Sequence, residues 1–578
     1  MIRKLVRQML LAQIFSALTV SLCLLIDNIM IGRFLGVEAI AAYGLANPIL
    51  LVIGAIGTML SAGVQVACSK SLGQGSQEKT NAGYSSALVL TAGISLALMA
   101  VVLLFRSPLA TAMGAGTQGE LYDQTRDYMA GFILGAPGSM GALVLVPFMQ
   151  MAGQSGLLIA AVLGMTVADI GLDLANVFIF HGGMFGMGLA SSLSYYIALI
   201  IGAFYFLSKK SVFRFSRRLV TREKIAELFK SGVPAVFNMA SSVILIFLLN
   251  KILLSCGGSE AVAAYSVLTT IGNSANCITT GIGGVSLTLA GIFYNEEDGT
   301  GLWELMRLLC RDSILLGLCV GVLLLIFAPL LVALFLPEAG QAQQMAILGV
   351  RLFAAGLIPC CINNALKNAY QATGRETMTE IVSLLEGAAL PALAAFVLSR
   401  FLGTTGVWFY FVAGEVLMLA LLVLYAFLRT KKPFWKDSSI LLLKPDFGVS
   451  PDNLIEKDIH TLEEAAQAAR EAEEFCLARG QDARTSGHIA LCIEEMTAYT
   501  IQHGFKRADA KRHLSVRVLR KPDHWMLRFR DDCDAFDPVH YIPGEGEDDL
   551  GIRLMLSMSD EVRYTYSLNL NNLALKFD

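Results

Sequence analysis

Residues 27–79 read DNIMIGRFLGVEAIAAYGLANPILLVIGAIGTMLSAGVQVACSKSLGQGSQEK. The stretch holds the end of one apolar run and the whole of a second, which is long enough to cross the hydrocarbon core of a bilayer as a helix. Charged side chains are rare in these runs, and one of them, Asp27, stands inside the first. Gly and Ala recur through the second run, as they do where membrane helices pack closely. The stretch therefore predicts two packed membrane helices.

The same apolar pattern continues to about residue 430. The chain has 578 residues, of which 55% are hydrophobic and only 16% charged, whereas about a quarter are charged in an average soluble domain. Lipid must therefore cover part of the apolar surface, and the bilayer is the first predicted partner. We predict twelve spanning helices, at residues 10–32, 39–72, 84–104, 124–150, 157–181, 184–207, 228–255, 260–293, 313–336, 343–371, 377–401 and 405–428.

The distribution of Lys and Arg predicts the orientation of these helices. One set of loops holds most of them, including a run of seven between residues 209 and 224, and the loops on the opposite side hold few. Because basic loops stay in the cytoplasm, we predict a multi-pass protein of the cytoplasmic membrane with both termini in the cytoplasm. The formal net charge of −3 gives no reason to expect a nucleic-acid partner.

Residues 35–43, LGVEAIAAY, match residues 257–265, GGSEAVAAY, at a separation of 222 positions. Each copy lies at the same place relative to the predicted spans, so each half of the membrane region would hold six helices. Two similar halves around a central site are typical of transporters that alternate access by rocking one half against the other.

The opening stretch resembles that of the multidrug and toxic compound extrusion (MATE) transporters. The residues that carry the resemblance are Asp27, Gly32-Arg33, Leu35-Gly36, Ala41-Ala42, Asn47-Pro48 and Leu72-Gly73-Gln74-Gly75. The resemblance covers about residues 5–430. It implies two six-helix lobes and export of organic compounds in exchange for Na⁺ or H⁺.

Three acids inside predicted spans are the candidate cation-coupling residues, because an ionisable group in a span is costly and is usually functional. Asp27 lies in the first span, and Asp169 and Asp173 lie in the fifth at a spacing that puts both on one helix face. Two carboxylates one turn apart repel when both are ionised, which favours sharing a proton or binding a cation. In the family, Asn is usual where Asp169 stands, and the additional acid favours H⁺ over Na⁺.

Glu386 and Glu415 are the candidate site acids inside the predicted spans of the second half. Each could meet a cationic substrate or take part in gating, and each could instead make a helix–helix hydrogen bond. The transported compounds are expected to be small, organic and cationic or amphipathic.

After residue 431 the chain becomes polar, and from about Ile455 it is predicted to form a small α+β domain of two amphipathic helices, a strand hairpin, a third helix and two short strands. This order resembles the histidine-kinase-like ATPase fold of the anti-sigma-factor serine kinases. Glu495 with His503-Gly504 and Asp531 match nucleotide-binding positions of that family, and Gly544, Gly546 and Gly551 stand for its Gly-rich third motif. Tyr499 stands at the metal-binding Asn position, and Cys533 and Ala535 replace glycines. We therefore predict that ATP and Mg²⁺ bind weakly or not at all.

The predicted fold is thus an all-α polytopic membrane protein followed by an α+β sandwich. The predicted units are two lobes at 1–215 and 216–432, a linker at 433–454 and a cytosolic domain at 455–578. A cation-coupled exporter with a regulatory, non-enzymatic ATPase-like domain is the leading function, and a cytosolic protein partner of that domain is left open. The alternatives are a flippase of lipid-linked precursors, which the scarcity of basic residues in the spans disfavours, and a membrane-tethered signalling protein.

Overall fold

The computed structural model describes residues 2–208, 211–336, 340–431, 439–443, 447–505, 512–541 and 550–578. The first half of the membrane region contains α1 (Ile2–Met30), α2 (Val37–Gly73), α3 (Gln77–Leu104), α4 (Arg106–Ala112), α5 (Glu120–Ile133), α6 (Ala136–Met151), α7 (Ser155–Ala175) and α8 (Gly183–Leu207). The second half contains α9 (Arg222–Ala275), α10 (Cys277–Asn295), α11 (Gly299–Ala333), α12 (Gln341–Ala372), α13 (Glu376–Leu384), α14 (Leu390–Leu402), α15 (Thr404–Val407) and α16 (Tyr410–Thr430). Short π-helical turns at Ile31–Leu35, Asn176–Phe180 and Leu385–Ala389 follow α1, α7 and α13.

Within the described residues, ten helices are long and apolar enough to cross a membrane, and the bent pair α5–α6 makes eleven if it counts as one span. The protein is therefore a multi-pass membrane protein. All twelve predicted spans overlap helices, and three of them, 124–150, 260–293 and 405–428, cross a break between two helices. The first of the twelve, α1, is 29 residues long but is not among these ten or eleven.

The two halves share a backbone feature where the sequence repeats. Gly36 has φ +96° between the first two helices of the first half, and Gly258 has φ +65° at the break inside α9. These glycines stand 222 positions apart, the same separation as the repeated sequence. A positive φ is strained for residues with a Cβ, so glycine is needed at the same turn in both halves.

The apolar cores show how the two halves meet. One core runs through both halves and contains Leu72 at the end of α2, Leu228 near the start of α9 and Ile292 near the end of α10. Two further cores are each confined to one half, around Tyr128 in the first and Trp408 in the second. The halves are therefore packed together at one end of the bundle and have separate cores toward the other.

A buried polar contact reinforces the shared end. The Gln65 side-chain amide on α2 donates to Thr288 Oγ1 at 2.9 Å and to the Gly284 carbonyl at 3.3 Å, both on α10. It also donates to Gln150 Oε1 on α6 at 3.3 Å. Breaking such a buried network exposes unsatisfied polar groups and is costly.

The C-terminal domain is a five-stranded antiparallel sheet covered on one face by helices. The strands are β1 (Leu454–Ile459), β2 (Leu514–Arg520), β3 (Trp525–Asp531), β4 (Glu561–Ser567) and β5 (Leu570–Phe577), in the order β1-β2-β3-β5-β4. The helices are α17 (Leu462–Ala478), α18 (Ala483–Tyr499) and α19 (Leu550–Met558). Their apolar sides form a core with one face of the sheet.

Candidate functional sites

A cluster of carboxylates lies between α1 and α7 in the first half. Asp169 and Asp173 stand one turn apart on α7, and Asp27 on α1 lies beside both. The side chains are buried, with exposed fractions of 6% for Asp27, 4% for Asp169 and 0% for Asp173. The structure therefore brings together the three acids predicted from sequence, and their coupling role stays a prediction.

The cluster contains more acceptor oxygens than donors. Among the residues that the structure describes, no hydrogen-bond donor reaches the buried Asp27 Oδ1, Asp169 Oδ1 or either Asp173 carboxylate oxygen. The Ser194 hydroxyl on α8 lies within reach of Asp169. Three buried carboxylates cannot all stay ionised at this separation without a counter-charge. The arrangement therefore suits a group that takes up one or more protons, or a small cation, between the three side chains.

A second buried polar cluster lies in the other half, between α12, the π-helical turn after α13, and α16. Lys367 Nζ lies 2.9 Å from Glu386 Oε2, and both side chains are less than 10% exposed. Asn363 Nδ2 donates to Glu415 Oε2 at 2.8 Å. The ligand atoms of Cys360, Glu386 and Glu415 lie within 4.8 Å of one another, but the Lys367 ammonium already supplies a positive charge beside them.

Lys367 is the site residue that the sequence analysis missed. It stands inside the predicted span 343–371, where a lysine is as costly as an acid. The free-energy cost of burying a lysine in a span could have identified this residue, because such a lysine is expected to pair with a carboxylate. Glu386 is that partner, so the two predicted acids of this half differ, because Glu386 has a cationic partner and Glu415 has an amide.

In the C-terminal domain, aromatic rings surround Tyr499, which stands at the position that the resemblance assigns to a metal-binding Asn. The Tyr499 ring lies between His503, at a centroid distance of 4.4 Å, and Phe536, at 4.6 Å. A phenol in an aromatic stack is a poor ligand for Mg²⁺, which prefers carboxylate, carbonyl and water oxygens. These residues therefore do not fit a magnesium nucleotide site of the family type.

The other predicted nucleotide residues are engaged within the domain. Asp531 is buried, and its Oδ1 accepts hydrogen bonds from the Asn571 side-chain amide at 2.8 Å and from the Cys533 backbone amide at 3.0 Å. Burial raises the pKa of Asp531, and these two donors partly offset that effect. Gly551 lies so close to Glu495 that a Cβ there would overlap the carboxylate. The other two predicted glycines, Gly544 and Gly546, lie outside the described residues.

The second face of the sheet is basic and packs against the membrane region. In β3, Trp525, Leu527 and Phe529 belong to the domain core, so Arg528 and Arg530, which alternate with them, point to the opposite face. Together with Arg517 and Lys521 at the same face, they contact residues 296–298, the acidic loop between α10 and α11. The contacts are Arg517 with Asp298, Lys521 with Glu297, Arg528 with the Glu296 carbonyl oxygen (2.6 Å) and Arg530 with the Glu296 carboxylate (2.6 Å).

Asp298 has two functions at this contact. Its Oδ1 accepts the Gly301 amide at 2.8 Å and so caps the start of α11, while its carboxylate pairs with Arg517. Burial opposes ionisation of Asp298, but the positive charges of Arg517 and Arg530 outweigh it and hold the pKa below its usual value. The ion pair therefore stabilises the contact when Asp298 is charged.

The same domain also contacts the first half. At the turn between β4 and β5, the Leu568 amide donates to the Met151 carbonyl oxygen at 2.7 Å. The Asn569 side-chain amide donates to the Gly153 carbonyl oxygen at 2.9 Å. Leu568 also belongs to the apolar core that both halves share. One domain thus bridges the two halves at the end where they are packed together, which we call the domain end.

Comparison with known proteins agrees with this architecture. The MatE family model matches residues 12–174, and the Histidine kinase-like ATPase domain model matches residues 460–577. The chain therefore carries a MATE domain and a histidine kinase-like ATPase domain in one polypeptide.

Similar proteins cover the membrane region. The multidrug export protein MepA of Staphylococcus saprophyticus is 25% identical over 412 residues, which are 70% of this chain and 89% of that protein. A MATE protein crystallised in complex with MaL6 superimposes with a TM-score of 0.70 at 20% identity, over 76% of this chain and 98% of that chain. An outward-facing multidrug resistance MATE family transporter of the MOP superfamily gives a TM-score of 0.69 at 20% identity, over 76% and 97%. The membrane region therefore has the MATE fold.

Proposed function

We propose that this protein exports small organic compounds across the cytoplasmic membrane in exchange for a cation, and that the cation is H⁺. The observation that carries the proposal is the buried cluster of Asp27, Asp169 and Asp173, whose oxygens outnumber the donors around them. The relatives named as multidrug export proteins and the MATE fold of the membrane region support the transport reaction.

The packing of the two halves supports an alternating-access mechanism. The halves share a core and a buried hydrogen-bond network at the domain end, and toward the other end each has a core of its own. The basic loops favour a cytoplasmic location for the domain end, and with that orientation this arrangement is closed toward the cytoplasm. Protons that reach the cluster would neutralise the carboxylates and allow α1 and α7 to pack differently, which is how a coupling ion changes the preferred state.

Cationic or amphipathic compounds are the expected substrates. In the second half, Lys367 forms an ion pair with Glu386, whereas the Glu415 carboxylate accepts a hydrogen bond from the neutral Asn363 amide. Glu415 is therefore the better candidate to compensate a positive charge on a substrate. The pairing of Lys367 with an acid also disfavours the flippase alternative, which needs unpaired cations for a pyrophosphate group.

The C-terminal domain is proposed to regulate transport by contact. It bonds to the first half at Met151 and Gly153 and to the second half at residues 296–298. Opening toward the cytoplasm requires these two sets of residues to separate, so the docked domain opposes that opening. Regulation by contact needs no nucleotide chemistry.

The transport proposal is tested in vesicles with an imposed proton gradient. We expect Asp27→Asn and Asp173→Asn to abolish gradient-driven efflux of a cationic dye while membrane insertion is unchanged, because the amides keep the packing and cannot exchange a proton. Asp123→Asn is the matched control, since Asp123 is exposed on α5. Efflux that persists in either cluster variant, or that runs on a Na⁺ gradient alone, contradicts the proposal.

The regulatory proposal is tested by deleting residues 440–578. Faster efflux by the shortened protein supports a domain that restrains the transporter. Efflux that is lost, with the membrane region still folded, instead favours the signalling alternative, in which the cytosolic domain is the working part.

A further inference from the structure

The segment that joins the two halves of the membrane region is fastened to the first half. We call it the crossover loop; it comprises residues 211–221, between α8 and α9. The Phe213 side chain of this loop is fully buried. It packs against the rings of Tyr84, Phe148 and Phe206, at centroid distances of 5.6, 5.0 and 6.2 Å. The backbone amides of Arg214 and Ser216 each donate at 2.9 Å to a polar side chain of α3. The loop therefore presents a defined surface.

This surface carries positive charge that no acid of the loop compensates. Four arginines of the loop and of the first turn of α9 are exposed, namely Arg214, Arg217, Arg218 and Arg222. Residues 211–222 contain neither Asp nor Glu. No carboxylate among the described residues forms an ion pair with any of the four. The neighbouring Lys70 and Lys224 differ, because both pair with Glu227.

The helices on either side of the loop place these arginines at the level of the lipid head groups. Both α8 and the first part of α9 are long and apolar enough to cross a membrane. At their ends near the loop, Leu207 is 85% exposed and Phe229 is 44% exposed, so hydrocarbon is the expected cover of these side chains. Arg222 lies two helical turns before Phe229, about 10 Å along the helix and on nearly the same face. Phe215, among the loop arginines, is 56% exposed. Exposed aromatic and basic side chains at the end of a span are typical of a membrane interface.

We propose that the crossover loop binds the head groups of acidic phospholipids. A guanidinium donates two parallel hydrogen bonds to phosphate oxygens, and acidic head groups attract basic segments that lie beside a span. The exposed Phe215 ring favours a lipid over a soluble phosphate compound, because only the lipid brings acyl chains against which the ring packs. The loop is fastened to α3 in the first half and leads into α9 in the second. A lipid bound there therefore lies where the two halves are joined.

The test is native mass spectrometry of the full-length protein in a neutral detergent, titrated separately with phosphatidylglycerol and with zwitterionic phosphatidylcholine. The wild type should bind phosphatidylglycerol about 10-fold more tightly than phosphatidylcholine, or better. The loop variant, Arg214→Gln with Arg217→Gln and Arg218→Gln, should lose about 10-fold or more in affinity for phosphatidylglycerol. Its affinity for phosphatidylcholine should not change, because that lipid has no net charge. The three arginines are exposed, so the variant should fold.

The matched control removes the same charge from three other helices. It is Arg7→Gln with Arg307→Gln and Arg429→Gln, which changes exposed arginines of α1, α11 and α16. Its affinity for phosphatidylglycerol should stay within about 2-fold of the wild type, since basic residues act over little more than a Debye length.

Three results would overturn the proposal. The first is a wild type that binds the two lipids equally well, and the second is a loss of phosphatidylglycerol affinity that is as large in the control as in the loop variant. The third is displacement of phosphatidylglycerol by an equal concentration of glycerol phosphate, which would show that the loop takes a soluble phosphate ester. None of these measurements requires transport activity, so the result is independent of the proposed efflux.

Discussion

Replacing Asp298 by Asn is expected to detach the C-terminal domain from the second half of the transporter. Asn caps a helix about as well as Asp, so the Gly301 contact at the start of α11 survives, while the ion pair with Arg517 is lost. Removing one partner of a buried pair costs about 3–5 kcal/mol. We expect the lower end, because Arg517 keeps Glu456 at 2.8 Å. About 3 kcal/mol corresponds to a docking equilibrium roughly 100-fold weaker.

Hydrogen exchange at the Leu568 amide reports this equilibrium, since the amide donates to Met151 across the contact with the first half. The amide should exchange up to about 100-fold faster in Asp298→Asn, and efflux should speed up. Glu376→Gln is the control, because it breaks an ion pair to Lys230, which is 77% exposed, and such pairs contribute little. Unchanged Leu568 protection in both Asp298→Asn and Arg517→Gln, or independent effects in the double variant, would refute the docking argument.

The pH dependence of the same amide has a definite sign. Docking holds the Asp298 pKa below its usual value of 3.8. The contribution of this pair is therefore complete above about pH 4 and is lost as the pH falls through the docked pKa. After correction for intrinsic exchange, protection at Leu568 should be the same at about pH 6 and pH 8 and should decrease below about pH 4. The Asp298→Asn variant should lack the contribution of this pair to that decrease.

Three further predictions concern the other sites. Asp169→Asn should shift the pH optimum of efflux without eliminating it, because Asp27 remains as a proton acceptor; complete loss of efflux in the vesicle assay contradicts this. The wild-type protein should bind Mg-ATP with a dissociation constant no better than about millimolar, and Tyr499→Asn with Cys533→Gly should raise the affinity measurably in calorimetry; micromolar binding by the wild type contradicts it. Lys367→Met should destabilise the protein by about 3–5 kcal/mol, measured by thermal unfolding in detergent, and Glu386→Gln added to it should restore much of the loss; equal melting of the single and double variants would show that the pair is not coupled.

The sequence alone determined the features that have a fixed local period. Apolar runs of about twenty residues predict membrane helices because the bilayer sets their length, and every predicted span overlaps a helix. The spacing of Asp169 and Asp173 places both on one face because a helix repeats every 3.6 residues. In the C-terminal domain, the alternation of apolar and polar residues along Trp525–Asp531 predicts a strand with one apolar face, because successive side chains of a strand point to opposite faces.

Only the tertiary structure decided which of these faces meet. It places Asp27 against the two acids of α7 and Lys367 against Glu386, although the partners lie on different helices. It also places the basic face of the sheet against residues 296–298, more than 200 positions away in the chain. A strand with alternating polar residues is equally compatible with water or with an acidic partner on its polar face. Whether the polar face of a strand meets water or an acidic partner depends on how separate segments of the chain pack against one another. The periodicity within one segment carries no information about that packing.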